Sequence, residues 1–132
     1  MAADLLARDC APLSLLDAEM GERLNLEIHP IQVFQRFTCG RYRVTAFPAN
    51  HDPAVEWLLY AVEGPGRTVF YGADTAALPE AVWRGFHRMG LCFDVVVLDH
   101  TYGPEEPASD HLSAHEVIAH ADRLREEGLL AE

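Results

Sequence analysis

The sequence predicts an α/β domain made of antiparallel hairpins, one buried strand and two flanking helices. Three observations carry that expectation. Glu56–Glu63 and Thr68–Tyr71 are apolar runs joined through Gly64-Pro65-Gly66-Arg67, the pattern of an antiparallel hairpin with a slightly long loop. Phe93–Asp99 is a nearly unbroken β-branched run, which predicts a strand covered on both faces. Two helices are predicted as well, one from the spacing of Val82, Phe86 and Met89, the other from the capping box Ser113-Ala114-His115-Glu116.

Composition sets the bounds. The 132 residues suffice for one domain or a piece of one, and 49% hydrophobic content suits a folded core. A formal net charge of −11 argues against a nucleic-acid or anionic-membrane binder, which needs a basic stripe. A small anionic substrate remains allowed, since a bound cation locally inverts the field. The three cysteines, Cys10, Cys39 and Cys92, are widely spaced and suggest neither a disulfide framework nor a thiolate zinc site, which fits a reducing cytosol. The N-terminus lacks the pattern of an export signal, and no run approaches eighteen apolar residues, so neither export nor membrane insertion is expected.

In chain order, residues 1–23 form a poorly defined N-terminal segment with weak helical periodicity at Leu13, Leu16 and Met20. Leu24–His29 alternates apolar and polar, as a half-buried strand does, with His29 a solvated residue on its polar face. Pro30–Thr38 reads as a second extended segment. After a Cys39-Gly40 turn, Arg41–Phe47 alternates again, with Tyr42, Val44 and Ala46 on one face, until Pro48 ends the ladder. The hairpin follows, then a helix with Pro79 in its first turn and Gly90 at its stop, carrying Arg84, His87 and Arg88 on its wet face. Strand, helix and the β-branched strand in that order predict a parallel crossover. The last helix runs to about Glu127, with Val117, Ile118, Ala121 and Leu124 toward the core, His115 and His120 in solvent, and Gly128 closing it.

Polar groups collect at the tips of these elements. Asn50-His51-Asp52 follows one strand, Gly72-Ala73-Asp74 another, and Asp110-His111-Leu112-Ser113 opens the last helix. The hairpin explains why the first two should meet: one arm begins just after His51 and the other ends at Tyr71, so antiparallel pairing brings His51 and Asp74 to one sheet edge. An imidazole, a carboxylate and a second imidazole at element tips are the parts of a metal-hydrolase site. The capping box leaves His111 outside the helix, which disfavours a His111/His115 chelate and places His111 by free backbone N–H groups that favour anions.

The order Pro48-Ala49-Asn50-His51, Tyr71-Gly72-Ala73-Asp74-Thr75, Val95-Val96-Val97-Leu98-Asp99-His100-Thr101, Asp110-His111-Leu112-Ser113 resembles the metallo-β-lactamase superfamily. Within it the chain resembles the phosphodiesterase branch, which holds phosphoribosyl cyclic phosphate phosphodiesterases and tRNA 3′-processing endonucleases. The resemblance covers roughly residues 24 to 127. It implies part of an αββα sandwich, with His51 as a metal-binding histidine and Asp74 as the carboxylate shared by two ions, Zn or Mn. It further implies that His111 contacts substrate phosphate and protonates the leaving group, and that Asp99 orients His111. The ions would neutralise phosphate charge and acidify water.

Departures from the pattern are equally specific. The superfamily motif His-x-His-x-Asp-His does not occur in the sequence, and no histidine follows the last helix. The expectation is therefore a single partial metallo-hydrolase domain over 1–132, inactive alone, from a longer phosphodiesterase of a small or cyclic phosphate ester. The alternatives are a lactone or thioester hydrolase or a tRNA 3′-processing endonuclease of the same fold, or a non-catalytic remnant module. The expected partner is the phosphate ester, with no nucleic acid and no membrane; a homodimer is left open.

Overall fold

A computed structural model of the chain describes residues 22–25, 27–104 and 110–131. The expectations for Leu13, Leu16, Met20 and Cys10, and for the loop over 105–109, lie outside those residues. Five strands form one sheet in sequential order: β1 (Arg36–Cys39), β2 (Tyr42–Pro48), β3 (Leu58–Gly64), β4 (Arg67–Gly72) and β5 (Val95–Leu98). The first four pair antiparallel, and β5 joins β4 in parallel after the crossover helix α1 (Glu80–Arg88). Helix α2 (Ala114–Glu126) completes the set.

Hydrogen-bonded register sorts the side chains. Phe47 faces Leu59, Ala61 faces Phe70, and Phe70 faces Val96, which puts these residues on one sheet surface. Both helices cover that surface. Val82, Trp83 and Phe86 of α1 and Leu124 of α2 join Phe47, Leu59, Phe70 and Phe93 in a single core. Phe86 makes edge contacts with Phe47, Phe70 and Phe93 at centroid distances of 5.0 Å, the arrangement in which ring edges meet ring faces. Gly85 is required for this approach, because a Cβ there would lie 2.8 Å from the Phe47 ring and 3.1 Å from Phe34.

Several expectations are corrected. The hairpin loop is shorter than expected: Gly64 pairs with Arg67, leaving a two-residue Pro65-Gly66 turn with Gly66 at φ +88°. Leu24–His29 is not a strand; residues 22–24 are helical and 27–30 irregular, and Asn25 at φ +52° turns the chain out of an extended path. The second extended segment shortens to β1, because Phe34 at φ +61° bends the backbone, its N–H bonded to the Ala46 carbonyl at 2.7 Å. β5 is covered on one face only. Val95 and Val97 are 40% and 39% exposed, so its β-branched content reflects a preference for pleated backbone and not two-sided burial.

The helix boundaries agree with the sequence. Pro79 is the N-cap of α1, and Ser113 caps α2 in a complete capping box with Glu116. The phase of α2 differs from expectation: Ile118 is 59% exposed while His120 is buried. His120 Nδ1–H donates to the Glu116 carbonyl and its Nε2 accepts the Leu78 N–H at 3.0 Å, which replaces the lost water. Among the described residues no helix is long and apolar enough to cross a membrane.

Candidate metal centre

β2, β4 and β5 run in the same direction, so their C-terminal ends, and the loops that follow, share one edge of the sheet. Backbone bonds tie these loops together. The Ala76 N–H donates to Asn50 O at 2.6 Å, the Asn50 N–H to Thr75 Oγ1 at 2.9 Å, and the Asp99 N–H to Gly72 O at 3.2 Å. His51, Asp74 and Asp99 are thereby brought to one place, and the segment before α2 adds His111.

Asp74 is exposed and sits at φ +52°, an unusual conformation for a residue with a Cβ and one that concentrates at functional loops. Gly72 lets the chain pass close to β5, where a Cβ would lie 3.2 Å from the Val97 carbonyl. Asp99 is nearly buried. Its Oδ1 accepts the Thr101 N–H at 2.9 Å and the Thr101 hydroxyl at 2.6 Å, while Oδ2 accepts His111 Nδ1–H in a short, charge-assisted contact. Burial pushes the Asp99 carboxyl up, but the bonds from Thr101 and His111 outweigh it and hold it below the usual value. The same bond to Asp99, working against burial, raises the His111 imidazole above its ordinary value, helped by the charges of Asp99, Asp110 and Asp74.

His51 lies ring to ring with His111 at 4.7 Å and against Trp57 at 5.1 Å. Its Nδ1 is 2.8 Å from the Asp110 carbonyl. A carbonyl only accepts, so the proton is on Nδ1 and the lone pair on Nε2 is available to a ligand. A cleft of about 390 Å³ opens beside it, lined by Asn50, His51, Asp52 and Val55.

Asp74, Asp99 and His111 each offer a donor atom, all within 4.8 Å of one another, and His51 adjoins this group through His111. Donors around one zinc-sized ion sit roughly 3–4 Å apart. Imidazole and carboxylate donors gathered in this way are of the kind a divalent cation takes. Sequence reasoning missed Asp110 as a partner of His51, because the group that acts there is a backbone carbonyl, which no residue type signals. Trp57 and Tyr102, whose rings border His51 and His111, were likewise not singled out.

The arrangement defines a class: an α/β protein whose single sheet presents imidazole and carboxylate groups, of metal-binding chemistry, at the edge where three strands end. The chain belongs to the beta-lactamase superfamily, whose domain model matches residues 2–131. No curated protein matches it. Among solved structures it is similar to the crystal structure of the metallo-beta-lactamase fold protein YhfI from Bacillus subtilis, with a TM-score of 0.54 and 19% identity. That likeness, which is one of fold, covers 77% of this chain and 42% of the other, so the chain spans less than half the length of the protein it matches.

Proposed function

We propose that this chain forms part of the active-site edge of a metal-dependent hydrolase that cleaves phosphodiesters, with a small or cyclic phosphate ester as substrate. In this reading His51 and Asp74 are metal ligands, His111 is the acid and Asp99 its orienting group. The reading rests on the Asp99–His111 pair beside Asp74. An imidazole whose Nδ1–H is held by a buried carboxylate, and whose proton affinity is raised by it, keeps its other nitrogen free to donate a proton to a leaving oxygen or to meet phosphate charge. A divalent ion, Zn or Mn, would supply positive charge against the phosphate oxygens and acidify water.

The chain's own residues do the rest. Asp99 fixes the tautomer and orientation of His111, and Thr101 fixes Asp99. The formal charge of −11 favours a small phosphate ester over tRNA.

The test is hydrolysis of bis(p-nitrophenyl) phosphate by the natural protein loaded with Mn²⁺ or Zn²⁺, measured beside a lactone and a thioester. We expect turnover of the phosphodiester alone, and its loss in His111→Ala with metal binding kept. Preference for the lactone or thioester transfers the site to another hydrolase class. The absence of His-x-His-x-Asp-His from this sequence favours a second reading, a non-catalytic module that keeps the sheet; metal binding without turnover of any substrate would support it.

A further inference from the structure

Two backbone bonds and one side-chain bond pin the segment before α2 in a way the hydrolytic reading does not use. Tyr102 N–H donates to the Leu112 carbonyl at 3.3 Å and Ala114 N–H to the Gly103 carbonyl at 2.5 Å, so the chain after β5 lies alongside the chain that enters α2. Within this clasp the Tyr102 hydroxyl donates to Asp110 Oδ1 at 2.8 Å, and its ring edge rests on His111 with centroids 5.9 Å apart. The other polar end of Asp110, its carbonyl, accepts the Nδ1–H of His51.

We propose that Asp110 is a positioning residue, locked by the Tyr102 hydroxyl, whose carbonyl holds His51 in the Nδ1–H tautomer so that Nε2 is presented to a metal ion. The proposal rests on the reading of His51 as a ligand but concerns a different property, the proton position on the free imidazole. A peptide carbonyl aims its lone pairs only as well as its own plane is fixed. Among the described residues, the Tyr102 hydroxyl anchors the Asp110 side chain for that purpose. The same peptide leads directly into His111, whose ring Asp99 orients, so the clamp fixes the backbone between two rings whose centroids lie 4.7 Å apart. Groups that hold a ligand histidine through its second nitrogen typically change metal affinity about tenfold to a hundredfold when removed.

The direct test reads the tautomer without metal or substrate. In ¹⁵N-labelled natural protein, long-range ¹H–¹⁵N correlation spectra at about pH 8 should show His51 protonated on Nδ1. Tyr102→Phe, which removes one oxygen, should shift His51 toward the Nε2–H form, as should Asp110→Ala. Asp110→Asn keeps an acceptor for the Tyr102 hydroxyl and should behave as the parent. In calorimetric titration with Mn²⁺, Tyr102→Phe and Asp110→Ala should lose about tenfold to a hundredfold in affinity, Asp110→Asn much less. An Nε2–H signal for His51 in the parent, or a parent-like spectrum in both Tyr102→Phe and Asp110→Ala, overturns the proposal. So does an Asp110→Asn that falls as far as Asp110→Ala, since the carboxylate's charge would then be the cause. If the tautomer responds as stated but the parent binds no Mn²⁺, the metal reading of the site fails and the positioning role stands.

Discussion

His111 and His120 show how differently two imidazoles of one short chain can be set. His111 is raised by a hydrogen-bonded carboxylate and its charge, whereas burial pushes His120 down, countered by the Glu116 carbonyl bond and charge and reinforced by Arg123. On the proposed reading, His111→Ala should lower turnover about 10²- to 10⁴-fold, the usual contribution of one acid group. His120 acts on stability instead. Its folded value lies below the ordinary 6.5, so the unfolded chain takes up the proton first. Stability is therefore full above about pH 6.5 and falls as the pH drops below it, until the folded group itself titrates. Thermal melts from about pH 7.5 to 5.5 should show this decline, and His120→Gln should flatten it. His120→Ala, which strands the buried Leu78 N–H, should cost about 1–3 kcal/mol in urea titrations. Neither the burial of His120 nor the exposure of Ile118 was legible from spacing alone. A helical stripe fixes which residues share a face, but two adjacent stripes on α2 each contain apolar residues, and contact with Trp83, 5.5 Å from the His120 ring, selects one.

Local chemistry settled the ends of the helices. Ser113 is fully buried and exchanges bonds with Glu116, so Ser113→Ala should destabilise α2 by about 1 kcal/mol and loosen His111 just before it, measured as a lower urea midpoint. In α1 the constraint is steric. Gly85→Ala drives a methyl into the Phe47 and Phe34 rings, and overpacking of this kind costs about 1–3 kcal/mol despite the better helix propensity of alanine. The hairpin of β3 and β4 and the parallel addition of β5 followed from turn residues and the order of elements. The proposed strand at Leu24–His29 failed because six alternating residues make a strand only when a neighbour accepts their hydrogen bonds, and Asn25 leaves the extended region.

Both helices lie on one face of the sheet, and the other face carries apolar groups in register: Val69 beside Val95 and Tyr71 beside Val97. Tyr71 is 53% exposed. Surfaces of this kind bind apolar dyes and reduce solubility. We expect the 132-residue chain to bind 8-anilinonaphthalene-1-sulfonate, and Val95→Thr/Val97→Lys to reduce that fluorescence while leaving the thermal midpoint within a few degrees. Dye binding unchanged by the double substitution would place the exposed apolar surface elsewhere.

Turn residues, helix caps and the collinear motifs around His51, Asp74, Asp99 and His111 were enough to predict an α/β chain and to name residues that the fold gathers at one edge of the sheet. They suffice because capping, turn formation and strand alternation are local, governed by neighbours a few positions away. The clasp of Tyr102 on Asp110, the proton position on His51, the phase of α2 and the open face of β5 depend on atoms that meet across long stretches of chain. A backbone carbonyl has no side-chain signature, and burial is a property of what packs against a surface, so these features emerged only when the chain was folded.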